Sequence, residues 1–223
     1  MSDKKRHQPW EDVAFNKDEQ FRLKRIAVIR EAAHAFKKKG YHNTSLEDIA
    51  GALGVTKGAL YYYIKSKKEV LFESHLLAIE IAKNAADYAM AQSDDPRQII
   101  ASMICKYFEL STSDKGVSAV LTEFEALDPA MLEVIAAKRA EVSKWFQDIV
   151  ARGIAEGSLH ALDPGLATIF AFGSVNWMAH WYDPGGPFSS QEVGEAFARF
   201  ILKGLDAVPG EGSMREPLRL PQV

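Results

Sequence analysis

Apolar residues recur along the chain at three- and four-residue intervals, and capping residues, Gly and Pro divide that pattern into helices. In the first, Phe21 to Lys39, Ile26, Ile29, Ala33 and Phe36 share one face, Arg22, Lys24, Arg25, Arg30 and Lys37 lie mostly elsewhere, and Gly40 stops it. Leu46, Ile49, Ala50 and Leu53 repeat the spacing of a buried face, opened by a capping box between Thr44 and Glu47 and closed by Gly54. Thr56 caps a third helix, Lys57 to about Tyr63, which is too short to form a core. Ser66 and Glu69 make a second capping box at the head of a long helix, Lys67 to about Gln92, with Val70, Leu71, Leu77, Ile81 and Ala85 in a roughly heptad pattern. Pro96 stands where the next helix begins. Further helices are expected at 97–112, about 116–126, 129–156, 164–182 and 190–206, separated by Gly-, Asp- and Pro-containing breaks. No strand alternation competes, so the expected fold class is all-α.

This punctuation gives a polar arm over 1–20, a three-helix module over 21–66, a larger helical domain over 67–208 and a Pro- and Gly-rich tail over 209–223. The 67–92 helix spans the join and acts as a mechanical link. In the arm, the basic group Lys4, Lys5 and Arg6 could touch phosphates or a minor groove; a mobile tail is the alternative.

Composition changes the picture in two places. Among 223 residues no run reaches the roughly 18 apolar residues of a membrane span; Leu166 to Trp181 is broken by Thr168, Ser174, Asn176 and His180. The N-terminus lacks the apolar stretch of a signal peptide, and the single Cys105 gives no internal disulfide, which together predict a cytoplasmic protein with no membrane partner. The net charge of −3 hides an asymmetry: residues 1–70 carry 15 Lys and Arg against 9 Asp and Glu, while 71–223 carry 12 against 21. Only the N-terminal part is suited to a polyanion.

The second and third helices form a helix-turn-helix. Its short second member presents Thr56, Lys57, Tyr61, Tyr62 and Tyr63, with Gly58 allowing close backbone approach, as a major-groove reader requires. Catalysis finds no support. Six histidines form no HExxH, there is no CxxC, Gly173-Ser174 lacks the second Gly of a nucleophile elbow, and Gly51 to Lys57 has Thr56 where a phosphate loop needs Gly. No metal, cofactor or enzymatic activity is expected. A helical interaction protein without DNA binding is the alternative, and it would have lost the Thr56–Lys57–Gly58 and Tyr61–Tyr62 set.

The stretch GYHNTSLEDIAGALGVTKGALYYYIKSKKEVL resembles the N-terminal signature of TetR-family transcriptional regulators, over about residues 21–75. The resemblance implies a helix-turn-helix domain, a connecting helix and a larger ligand-binding and dimerisation domain. It further implies a homodimeric repressor on a near-palindromic operator, released by a small molecule. It places Thr44 and Lys67 on backbone phosphates, Thr56, Lys57 and Gly58 on bases and phosphate, and Tyr61 and Tyr62 on the backbone or a thymine methyl. WYDPGGPFSSQEVGEAF, residues 181–197, is similar to the segment joining the last two helices in family repressors of fatty-acid and steroid catabolism, several of which answer to coenzyme A thioesters. An apolar or acyl effector follows from that resemblance; a sensor of drugs or other hydrophobic compounds is the alternative.

The middle helices supply large side chains for such a ligand: Met103, Tyr107, Phe108, Phe124, Trp145, Phe146, Ile149, Phe170, Phe172, Trp177 and Met178. A structural core would also use them, but a pocket of roughly 300–1,000 Å³ needs the same lining with a few polar groups. Asn176, His180, Tyr107 and Glu123 are candidates for those groups. The phosphates of a coenzyme A ester call for cations, which 164–182 lacks; Lys138, Arg139, Lys144 and Arg152 could supply them or form a solvated face. The dimer is expected through the last two long helices, with Phe170, Gly173, Trp177 and Trp181 on one stripe and Val193, Phe197, Phe200, Ile201, Gly204 and Leu205 on the other.

Overall fold

Capping decides where the helices begin, and the first cap lies one residue later than expected. In the computed structural model, which describes residues 9–113, 123–160 and 163–206 (side chains from Lys17 onward), Ser45 caps α2, Leu46–Ala52. Its hydroxyl accepts from Asp48 N at 3.1 Å, and the Asp48 carboxylate accepts from Ser45 N at 2.8 Å. Thr56 caps α3, Lys57–Tyr63, by accepting from Ala59 N at 3.2 Å. Ser66 caps α4, Lys67–Gln92; the Glu69 carboxylate reaches back to Lys65 N rather than to the cap itself. Gly54, at φ +65°, makes the left-handed turn between α2 and α3 that a β-carbon would strain.

Helix α1, Pro9–Lys39, corrects the expected arm over 1–20 from residue 9 on. Pro is well tolerated at a first helical position, and neither Gly nor Pro interrupts the polar stretch up to Phe21. The basic group Lys4, Lys5 and Arg6 and the tail from 209 lie outside the described residues. Of the helix expected near 116–126, only Phe124–Ala126 is described, as a single 3-10 turn.

The remaining helices are α5, Pro96–Thr112; α6, Pro129–Ala155; α7, Pro164–Asn176; α8, Met178–Trp181; and α9, Ser190–Leu205. The helix expected over 164–182 divides at Trp177, whose N–H is shared between the carbonyls of Gly173 and Val175, tightening the turn that separates α7 from α8. Among the described residues there are helices and turns but no strand, so the fold is all-α, with the helix-turn-helix module at the N-terminus.

Two apolar cores result. One joins α1, α2, α3 and the start of α4 to Leu127 and Ile135; the other is built from the far half of α4 with α5, α6, α7 and α9. Helix α5 lies between α4 and α9. The α5–α9 approach is close enough that a β-carbon on Gly194 would stand 3.2 Å from Cys105 Cα and 3.3 Å from Phe108 Cβ. Helix α4 contributes Val70 and Leu71 to the first core and Ala86 and Ala89 to the second, so one rigid element belongs to both.

Candidate DNA interface and effector pocket

Helix α3 buries Leu60 and turns the opposite side outward, because only one apolar position in its two turns faces the core. Thr56, Lys57, Gly58, Tyr61 and Tyr62 are all exposed, Tyr62 at 71%. Tyr63 is half-buried against Phe21, with ring centroids 5.2 Å apart, as the core alternative requires. Arg25 fixes this helix from behind: its guanidinium donates to Tyr63 O at 3.2 Å and to the carboxylates of Glu69 and Glu73 at 2.9 and 3.0 Å. The reader is therefore held by α1 and α4 while its polar edge stays exposed.

Two of the expected phosphate contacts are corrected. Thr44 is 2% exposed, and its hydroxyl donates to Gly40 O at 2.8 Å, so it ties the α1–α2 turn together. Lys67 points inward as well, donating to the carbonyls of Tyr41 at 2.6 Å and Thr44 at 2.9 Å and lying 4.2 Å from the Tyr41 ring centroid. A polar residue at a helix start, with no partner evident in the sequence, is expected to face outward; the carbonyl of Gly40 just past α1 claims Thr44, and those of the following turn claim Lys67.

Lys57 has a partner that sequence reading misses, a hydrogen-bonded ion pair with Glu47 of α2. Hydrogen bonding to Lys57 holds the Glu47 carboxyl below its ordinary range, and the same bond raises the Lys57 ammonium. Asp48 is held lower still, first by Lys39 and then by Ser45. The periodicity of α2 carries the only signal for these acids, since Glu47 and Asp48 stand opposite its buried residues.

A cavity of about 310 Å³ opens in the second core. Of the candidate ligand residues, Met103, Tyr107, Phe146 and Asn176 line it. Phe108, Phe124, Trp145, Ile149, Phe170, Trp177 and His180 do not. Phe108 is consumed by packing on Phe197 (5.2 Å between centroids), Ile149 is buried in the core, and Trp145 lies half-buried beneath Lys83. Phe170 and Trp177 are exposed at 59% and 61%, and His180 stacks on Trp177 at 4.3 Å. Phe124 stacks between Arg139 and His75, 4.7 and 4.9 Å away. Periodicity marks all of these as helix-face positions but cannot say which side of the bundle each face meets.

The lining that sequence reading misses includes Ala78, Ile79 and Ala82 of α4, Ser143 and Gln147 of α6, and Thr168 and Val175 of α7, while Phe172 and the candidate cation Arg139 also line it. Small residues on α4 make room, which is why a search for large side chains overlooks them. Tyr107 Oη donates to Asn176 Oδ1 at 3.3 Å, linking α5 to α7 across the cavity edge. Burial raises the Tyr107 phenol and lowers the Arg139 guanidinium.

A third feature is an apolar surface. Leu166, Ile169, Phe170, Trp177, Trp181 and Phe200 are exposed on α7, α8 and α9, and nothing lies within 4 Å of a β-carbon on Gly173 or Gly204. Large aromatic groups in this number on neighbouring helices mark an interaction face.

Comparison with known proteins supports this architecture. Residues 28–74 match the family described as "Bacterial regulatory proteins, tetR family", and residues 93–205 match "Tetracyclin repressor-like, C-terminal domain". The HTH-type transcriptional repressor KstR2 of Mycolicibacterium smegmatis is 25% identical over 192 residues, covering 84% of this chain and 93% of that protein. The structure of the TetR family regulator PfmR from Thermus thermophilus superposes with a TM-score of 0.71 at 31% identity, covering 81% of this chain and 99% of that one. AibR in complex with isovaleryl coenzyme A and operator DNA shares the fold at a TM-score of 0.69 and 20% identity, over 80% and 98% of the two chains.

Proposed function

The chain belongs to the TetR family of bacterial regulatory proteins and is a non-enzymatic, DNA-binding transcriptional repressor of that family; from this premise we propose that it acts as a homodimer on a near-palindromic operator and is released by an apolar or acyl-type small molecule, a coenzyme A thioester being one form of it. In this reading the DNA reader is 21–66, its contacts are Thr56, Lys57, Gly58, Tyr61 and Tyr62, and the effector and dimerisation part is 67–208. Thr44 and Lys67 are withdrawn from the contact set for the reason given above.

One observation carries the mechanism. Helix α4 holds the reader at its start, through Val70 and Leu71, and lines the cavity with Ala78, Ile79 and Ala82 two turns later. A ligand that needs more room than the cavity offers must press on these small residues and tilt α4. In a dimer the tilt changes the separation of two recognition helices that must enter successive major grooves about 34 Å apart. Since both half-sites must be engaged together, a shift of a few ångströms is enough to lose the avidity of the pair. An acyl effector is supported by the isovaleryl coenzyme A bound in AibR, whose fold this chain shares.

Spin labels on α3 of each protomer test the mechanism. The inter-label distance should change when a ligand that releases DNA is added. An unchanged distance distribution in the presence of such a ligand would sink it.

A further inference from the structure

Among the described residues lining the cavity, Arg139 alone is charged, and we propose that it binds the carboxylate of a small apolar acid whose hydrocarbon body fills the space between α5, α6 and α7. The proposal rests on the reading of this cavity as the effector pocket and adds the identity of the head group.

Of the other cations of α6, Lys138 is exposed and does not line the cavity, and two are engaged elsewhere. Lys144 is paired with Asp148 at 3.0 Å, and Arg152 donates to Asp94 O at 2.7 Å and lies 3.8 Å from Glu156. Arg139 is half-buried and makes no hydrogen bond or ion pair to another described residue; its guanidinium rests on the Phe124 ring, 4.7 Å from the centroid. Burial disfavours its charge, yet an arginine stays protonated in proteins. A buried cation without an anion is costly, and the cost is relieved when a ligand brings one.

The surroundings select which anion. Met103, Ile104, Val142, Phe146, Phe172 and Val175 form an apolar wall. Tyr107 spends its one proton on Asn176 Oδ1 at 3.3 Å, so the guanidinium is the strongest donor at the polar edge. Its planar fork matches a carboxylate with two parallel hydrogen bonds. No Asp or Glu stands among the described lining residues to compete. The volume of about 310 Å³, at roughly 30 Å³ per water-sized group, holds on the order of ten heavy atoms. That suits an eight-carbon acid, whereas a coenzyme A nucleotide would lie outside with only its uncharged thioester near Arg139.

Calorimetric titration of the purified full chain with sodium octanoate, 1-octanol and octanoyl coenzyme A separates the possibilities. Octanoate should bind the wild type at least about tenfold more tightly than 1-octanol, the worth of a charge-assisted pair. Arg139→Gln should bring octanoate down to the level of octanol while leaving octanol binding intact, and Arg139→Lys should keep part of the preference. Retained octanol binding also shows that the variants are folded. Equal binding of octanoate and octanol by the wild type, or an octanoate preference that survives Arg139→Gln, overturns the head-group assignment but leaves the pocket. Binding of octanoyl coenzyme A alone, indifferent to Arg139, overturns it in favour of a thioester. If none of the three binds, the reading of the cavity as an acyl pocket falls, and the head-group assignment with it.

Discussion

Lys57 and Lys67 carry the same charge ten positions apart and serve different ends. The Lys57 ammonium is exposed and shared with Glu47, a surface pair worth little to stability. It can be exchanged for a phosphate or a base edge. Lys67 donates to three carbonyls, those of Tyr41, His42 and Thr44, and of these Tyr41 O also accepts from Thr44 N at 3.3 Å. Lys57→Ala should therefore weaken operator binding and flatten its salt dependence by about one phosphate contact, with an unchanged melting temperature. Lys67→Met should lower stability by about 1–3 kcal/mol, since buried acceptors lose a charged donor. Anisotropy titrations at several salt concentrations, set beside thermal melts, check both. A Lys67→Met protein that melts like the wild type and binds DNA poorly would restore Lys67 to the interface. No sequence pattern distinguishes the two lysines, because each stands at the first position of a capped helix.

At the scale of elements, the seam between reader and pocket is where α4, the 3-10 turn and α6 meet. His75 of α4 is fully buried there, stacked on Phe124, with both ring nitrogens lacking a partner among the described residues. Burial, with a contribution from nearby Arg139, lowers its pKa from 6.5 to about 4. The unfolded chain thus takes up the proton first, so stability is complete above about pH 6.5 and is lost as pH falls toward 4. The loss should amount to about 3 kcal/mol at most. His75→Phe, which keeps a ring on Phe124, should remove that part of the acid sensitivity in denaturant titrations between about pH 7 and 4.5. An identical loss in wild type and variant would place the sensitivity elsewhere. The elements themselves are largely legible in the sequence, because caps such as Thr56 and Ser66 and stops such as Gly40 and Gly54 act within a few residues. The cap at Ser45 is missed by one position because Thr44 offers the same hydroxyl and differs only in tertiary burial. Arg139 cannot be told from Lys138, Lys144 or Arg152, since a helical wheel does not show which neighbour will claim each charge. The pocket wall from Ala78 to Ala82 is invisible for a related reason: a small residue leaves a space only when its neighbours fail to fill it.

At the scale of the whole molecule, the exposed face of α7, α8 and α9 is hard to reconcile with a lone chain in water. Phe200 is 69% exposed, Ile169 70% and Leu166 66%, and the open surroundings of Gly173 and Gly204 leave room for another backbone. Specific interfaces of standard size bury roughly 800 Å² on each partner, and those of obligate dimers are more apolar. In the proposed homodimer, a second copy of the same face, related by a two-fold axis, would satisfy that need and set two α3 helices at a fixed spacing. Phe200 makes the cleanest test because its side chain serves no described core. Phe200→Glu should leave the stability of the individual fold within about 0.5 kcal/mol, as for other surface changes. A carboxylate facing its own symmetry mate or an apolar partner surface would nevertheless split the dimer. Sedimentation velocity should then give half the wild-type mass, and operator affinity should fall by orders of magnitude while binding to a single half-site persists. A Phe200→Glu protein that still sediments as a dimer would move the interface off this face, and the α4 tilt would then act through a different geometry.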